Sequence, residues 1–177
     1  GVMYVTNVQQ IYGVDNIYIK NTAGHSSAAI KAEFIQSIID VKSSYIGNTI
    51  VKTIYDIGLH MEQLYLNETV HRVMIGHAGA ITVRNCMHVQ SIACTFKENQ
   101  AYLGGAIFAE NVIKLKLTKN KFVTNIAFGV FHMKNDHFVR DEFCKDYTAA
   151  GGAMALITVT STLITDCLFL KNRARYQ

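Results

Sequence analysis

Short alternations of apolar and polar residues recur along the chain, as "NIYIKN" (16–21), "AITVRNC" (80–86), "VIKLKLTKN" (112–120) and "ALITVTSTLIT" (155–165). Each predicts a β-strand of four to six residues, a length and a two-residue period that suit strands and leave no room for helical periodicity. The runs are separated by bends rich in Gly, Asn and Lys.

Two landmarks keep time between the strands. An aromatic followed three residues later by Asn or Asp occurs as Tyr18/Asn21, Tyr45/Asn48, Phe96/Asn99, Phe122/Asn125, Phe143/Asp146 and Phe169/Asn172. The aromatics are 27, 51, 26, 21 and 26 residues apart, so the unit is roughly 25 residues long, with 51 taken as two units and Leu64/Asn67 as the blurred copy between. A small-residue step has its own series, "SAAI" at 27, "AGAI" at 78, "GGAI" at 104, "FGVF" at 128 and "GGAM" at 151. From its third letter to the next aromatic the distance is 16, 16, 16, 13 and 16.

A unit of this length with two or three short strands predicts an all-β fold, a right-handed parallel β-helix in which each turn adds one strand to each of three sheets. About seven rungs, at ~4.8 Å each, would make a column about 34 Å long. The expectation is one domain over 1–177, with irregular rungs at 49–77. Stacked in register, the aromatics would form an internal ladder. The asparagines would tolerate left-handed bends and bond their own copies in the next rung. Asp146 would keep the size and add charge. Gly79, Gly104, Gly105, Gly129, Gly151 and Gly152 would serve corners too tight for a side chain, with the third letter of each step pointing inward.

Composition agrees with long backbone ladders. Half of the 177 residues are apolar, and proline is absent where average usage would give about 5%. The net charge of +4 is spread along the chain, and the tight basic group "KNRARYQ" at 171–177 reads as a solvated terminal segment, so no nucleic-acid partner is expected. Tyr147 to Thr165 is uncharged and nearly long enough to cross a membrane, but its Gly, Ser and Thr content and its place in the repeat exclude a transmembrane segment. The start "GVMYVTNVQQ" shows no signal peptide and no initiator Met, which predicts a processed protein or part of a longer one. Cys86, Cys94, Cys144 and Cys167 form no CxxC pair; buried thiols are expected, ahead of one disulfide and of a metal site. Cys94 and Cys167 stand two residues before their aromatics, where Ser43, Asn120 and Asp141 stand in other copies, and read as ladder thiols several rungs apart.

The alternation of "GGAI" (104–107) and "GGAM" (151–154) with "FKEN" (96–99), "FVTN" (122–125) and "FLKN" (169–172) resembles the repeat region of the chlamydial polymorphic outer-membrane proteins and related β-helical surface proteins. The resemblance is close over about 78–174 and degenerate over 15–77, where "YIKN" and "YIGN" carry Tyr. It implies a secreted passenger region used in adhesion at the cell surface, ahead of a membrane barrel that nothing in this sequence matches.

Candidate chemistry is thin. No cofactor is expected, since no phosphate-binding loop occurs, and His71, His77 and His88 lack the carboxylates of a zinc site. Acids are mostly single, apart from Asp136, Asp141, Glu142 and Asp146 near His137 and Arg140, which read as a solvated turn. "GHAG" at 76–79 is faintly similar to the Gly-His-Gly of pectin-degrading hydrolases, without their paired aspartates. Asn67, in "NET", is the single N-glycosylation sequon. Three readings follow: a non-enzymatic extracellular structural or adhesive module meeting host-cell or matrix glycans and proteins, a subunit that assembles end to end with itself, and a polysaccharide-active enzyme built on the cluster around Asp141.

Overall fold

Alternation along the longest runs sends Ile81 and Val83, and again Ile107 and Ala109, into a shared interior, while Arg84 and Glu110 point outward. A computed structural model describes residues 2–24, 27–50, 61–66, 69–74, 77–128, 132–134, 137–139 and 151–174. Their fold is a parallel β-helix. The first rung holds β1 (Met3–Thr6), β2 (Gln10–Val14), β3 (Ile17–Ile19) and β4 (Thr22–Ala23), and the second β5 (Ile30–Glu33), β6 (Ser37–Val41), β7 (Ser44–Ile46) and β8 (Thr49–Ile50). After β9 (Met61–Leu66) and β10 (Thr69–Met74) come a third rung of β11 (Ile81–Ile92), β12 (Thr95–Lys97) and β13 (Gln100–Ala101) and a fourth of β14 (Ile107–Thr118), β15 (Lys121–Val123) and β16 (Ile126–Ala127). Beyond β17 (His132–Lys134) and β18 (His137–Val139), the fifth rung is β19 (Met154–Thr165), β20 (Leu168–Leu170) and β21 (Arg173–Ala174).

Sheet 1 stacks β1, β5, β11, β14 and β19, with β2 and β6 completing its second limb in the first two rungs. Sheet 2 is β3-β7-β12-β15-β20 and sheet 3 is β4-β8-β13-β16-β21. The predicted short strands of sheet 1 fuse into 12-residue strands in the last three rungs, each bent at one residue with positive φ, Asn85, Asn111 or Thr158.

The described residues stack as five levels where the sequence predicts about seven. β5 pairs directly with β11, across a gap of 51 residues that is one rung and not two. Leu64, read as a blurred rung position, lies opposite His71 in an antiparallel hairpin. Likewise β14 pairs directly with β19, β15 with β20 and β16 with β21, and the strands β17 and β18 between these rungs join none of the three parallel sheets. The hairpin β9-β10 and the pair β17-β18 instead join each other in a four-stranded antiparallel sheet, β9-β10-β17-β18. Both departures leave after sheet 3 and return at the small-residue step, which keeps the coil in register. Five rungs at ~4.8 Å make a column of about 24 Å.

Bends are made by residues with positive φ, and among the described residues fourteen of these are not glycine. A left-handed residue costs about 1–2 kcal/mol. The cost is met because the bend residue goes on donating its N–H to the rung above: Asp15 to Val41, Lys42 to Ile92, Ala93 to Thr118 and Lys119 to Thr165, at 2.8–3.0 Å. The ladder therefore runs unbroken around the corners, and a chain without proline can supply every donor it needs.

Candidate functional site

The lumen is built around the two ladders. Ring centroids of Tyr18, Tyr45, Phe96, Phe122 and Phe169 follow one another at 4.8, 5.0, 4.8 and 4.9 Å with planes within 6° of parallel. Tyr45, Phe96 and Phe122 are fully buried, and each such pair contributes about 0.5–1.5 kcal/mol beyond the burial of its area. Beside the rings, Asn21, Asn48, Asn99, Asn125 and Asn172 form a directional chain. The Nδ2 of each inner asparagine donates forward to the next Oδ1, as Asn48 to Asn99 at 3.0 Å and Asn99 to Asn125 at 3.0 Å. It also donates back to the aromatic carbonyl one rung below, as Asn99 to Tyr45 at 2.9 Å. The backbone N–H adds a third bond to the same Oδ1.

The left-handed angle assigned to these asparagines belongs instead to the residue before each of them, namely Lys20, Gly47, Glu98, Thr124 and Lys171. Asparagine is needed for its carboxamide, which offers donor and acceptor at once to a stack of like groups; the bend itself accepts any residue whose N–H can reach the rung above.

At the corners, Gly79, Gly105 and Gly152 share one column, with Ala28 in their place in the second rung. A Cβ on Gly105 would stand 2.0 Å from the Gly152 carbonyl oxygen and 2.7 Å from the Ile126 nitrogen. Gly104 and Gly151 head the same step, and Gly151 has φ +62°. The third letters, Ala29, Ala80, Ala106 and Ala153, are buried. Phe143, Asp146, Gly129, Asn67, Cys144 and the acids around Asp141 lie outside the described residues.

Besides the asparagine ladder, a second lumen column carries polar groups. Gly13, Asp40, Ser91, Leu117 and Ile164 are in register, and Asp40 is buried. Its Oδ1 accepts from Ser43 Oγ at 2.6 Å, and its Oδ2 from Tyr45 Oη at 2.9 Å and Cys94 Sγ at 3.4 Å. Burial, reinforced by the Asp40 charge, raises the Tyr45 phenol far above its ordinary value and pushes the Cys94 thiol up to about 11. Both stay protonated as donors, so the cluster is a polar plug tying the second rung to the third and offers no activated nucleophile. Sequence reading took Asp40 for a solitary acid; the alternation in "SIIDV", which sets it on the same face as buried Ile38, was the signal for it. Cys86, Cys94 and Cys167 are free thiols.

Comparison of the chain with family models, curated proteins and solved structures finds no match. Its chemistry therefore has to be read from its own side chains.

The densest external group lies on the first limb of sheet 1, where Glu33, Arg84 and Glu110 occupy one column of three consecutive rungs. Tyr4 Oη donates to Glu33 Oε2 at 2.8 Å, and Lys31 Nζ stands 3.1 Å from Oε1. Burial works against the Glu33 charge, but the bonds from Tyr4 and Lys31 and the charges of Lys31 and Arg84 outweigh it and hold the carboxyl below the usual range. Arg84 Nε is 2.6 Å from Glu110 Oε2, an ion pair with poor hydrogen-bond alignment, and its NH2 group donates to Nε2 of buried His77 at 2.6 Å. His77, from "GHAG", thus accepts from an arginine and packs at 4.6 Å against the Phe108 ring. Each acid here is matched by a cation, an arrangement that braces rungs two to four. Among the described residues no group of three or more His, Cys, Asp or Glu is placed to hold a metal ion, and no helix is long and apolar enough to cross a membrane.

Proposed function

We propose that the chain is a non-enzymatic structural and adhesive module of an extracellular or cell-surface protein, a stiff column that presents flat sheet faces to its surroundings. The observation that carries this reading is the pair of in-register ladders, in which the aromatic and carboxamide groups of five rungs are engaged with one another and those of the three inner rungs are buried. Such a lumen serves rigidity. The cell-surface part draws on the resemblance of the GGA and FxxN tetrapeptides to β-helical adhesins. The test is retention of the purified protein on cultured cells and on immobilised extracellular matrix, together with a screen for turnover of acidic and neutral polysaccharides. Retention without cleavage is expected; cleavage, or no retention on any surface, would overturn the reading.

A second reading, end-to-end assembly, is favoured by the direction of the asparagine chain. By the pattern of the inner rungs, the fifth rung presents Asn172 donors and the Phe169 carbonyl, and the first presents the complementary Asn21 Oδ1. Phe169, at the end of the ring ladder, is 45% exposed. Light scattering that rises with protein concentration, with columns longer than one molecule in micrographs, is the expected result for assembly; monomers alone at high concentration would contradict it.

A further inference from the structure

We infer that the outer face of the second limb of sheet 1 binds an acidic polysaccharide through the lysines of the fourth rung. The inference deepens the adhesive reading above and rests on it.

Alternation in β14 turns Leu115 and Leu117 into the coil and leaves Lys114 and Lys116 outside and exposed. The chain then rounds its corner at Lys119, φ +57°, and opens sheet 2 with Lys121, both of them exposed as well. Four lysines within eight residues thus line one rung across two faces. Register sets Lys114 between His88 and Ser161, and Lys116 between Gln90 and Leu163.

Charge on this limb is handled differently from charge on its neighbour. On the first limb Glu33 faces Lys31 and Glu110 faces Arg84, and on sheet 2 Lys97 is 3.2 Å from Glu98. On the second limb no aspartate or glutamate occupies an outward position in any of the five rungs; its one acid, Asp40, points into the lumen. Lys114 and Lys116, two residues apart on one strand, are about 6.6 Å apart, so the limb offers two neighbouring cations to anions from outside.

The flat face matches a polymer that lies along it, and its chemistry selects which. Carboxylate or sulfate groups would pair with the lysines, while the Gln90 amide and the Ser161 hydroxyl beside them supply the donors and acceptors that sugar hydroxyls require. Single-stranded nucleic acid would want an aromatic platform for its bases. The exposed aromatic of this limb, Tyr12, belongs to the first rung, about 14 Å below the lysines at ~4.8 Å per rung.

The experiment is titration of the full chain with heparin and with polygalacturonate, against neutral dextran and a single-stranded oligonucleotide, at several salt concentrations. Both acidic polysaccharides are expected to bind, dextran is not, and affinity should fall as salt rises. Substituting Lys114→Gln together with Lys116→Gln should weaken binding about tenfold and lower the log–log salt slope by about two. Lys97→Gln, which removes a cation paired with Glu98, should leave affinity within about twofold. Circular dichroism of the variants confirms that the coil is intact. Equal binding of dextran, tighter binding of the oligonucleotide, or undiminished affinity in the double variant would overturn the inference. Cell retention by a protein that ignores both polysaccharides would sink this inference and leave the adhesive module standing; polysaccharide binding without cell retention would do the reverse.

Discussion

Asn99 illustrates what one side chain contributes. Its Oδ1 accepts from Asn48, and its Nδ2 donates to Asn125 and to the Tyr45 carbonyl, all in the buried lumen. Asn99→Ala leaves the donors of Asn48 and the Tyr45 carbonyl facing a small void and should cost roughly 3 kcal/mol, read as a lower denaturation midpoint at unchanged slope. The opposite sign is expected at Phe34. This residue holds φ +56° at the bend where other rungs carry Asn7, Asn85 and Asn111, and its ring is 57% exposed, so little packing compensates its backbone. Phe34→Asn should stabilise the protein by about 1 kcal/mol, seen as a higher midpoint in the same titration. The positive φ of a phenylalanine has no signature in sequence, because the demand comes from the rung above: Phe34 N–H must reach the Arg84 carbonyl, fifty residues away in the chain.

At the scale of elements, the small-residue step and the charged column fix how rungs meet. Gly105→Ala would put a methyl group into the carbonyl of Gly152 and the backbone of Ile126, both rigid, so the corner must shift. A loss of about 3 kcal/mol or more, or failure to fold, is expected, whereas Ala106→Gly one residue on should cost only about 1 kcal/mol; comparing thermal midpoints decides it. Glu33 gives the first limb of sheet 1 a pH dependence. Its folded carboxyl titrates below the ordinary range, so its contribution is present above that range and lost as pH falls through the folded value. Glu33→Gln should therefore lower the thermal midpoint at neutral pH, and the gap to the parent should close on acidification. A gap unchanged by pH would assign the effect to shape rather than charge.

For the whole molecule, the phase between the aromatic and the small-residue step made the coil legible, since both landmarks are set by stacking that repeats in every rung. What the phase conceals is which copies touch. The second and third rungs are 51 residues apart and the fourth and fifth 47, yet each pair is hydrogen-bonded directly. The chain leaving between them is close to one period long, so its length imitates a rung, and only strand pairing tells a turn of the coil from a departure. "FGVF", whose distance of 13 to its aromatic breaks the series, begins at Phe128, whose N–H still bonds the Ala101 carbonyl at the end of the fourth rung. The polar plug at Asp40 is hidden in part for a related reason: Ser43 and Tyr45 lie three and five residues away in the same rung, but Cys94 reaches it from the next rung, 54 residues on.

The central claim, that the second rung rests on the third with nothing between, is tested most directly by cross-linking. Ile46 and Lys97 are Cα partners on β7 and β12. Neighbouring parallel strands lie about 4.8 Å apart, within reach of a disulfide. Cysteines placed by Ile46→Cys and Lys97→Cys should form a mapped 46–97 disulfide under mild oxidation, as readily as a control pair at Lys97 and Val123. With a rung interposed the two positions would be about 9.6 Å apart, beyond bridging; efficient cross-linking of the control pair with none between 46 and 97 would contradict the account.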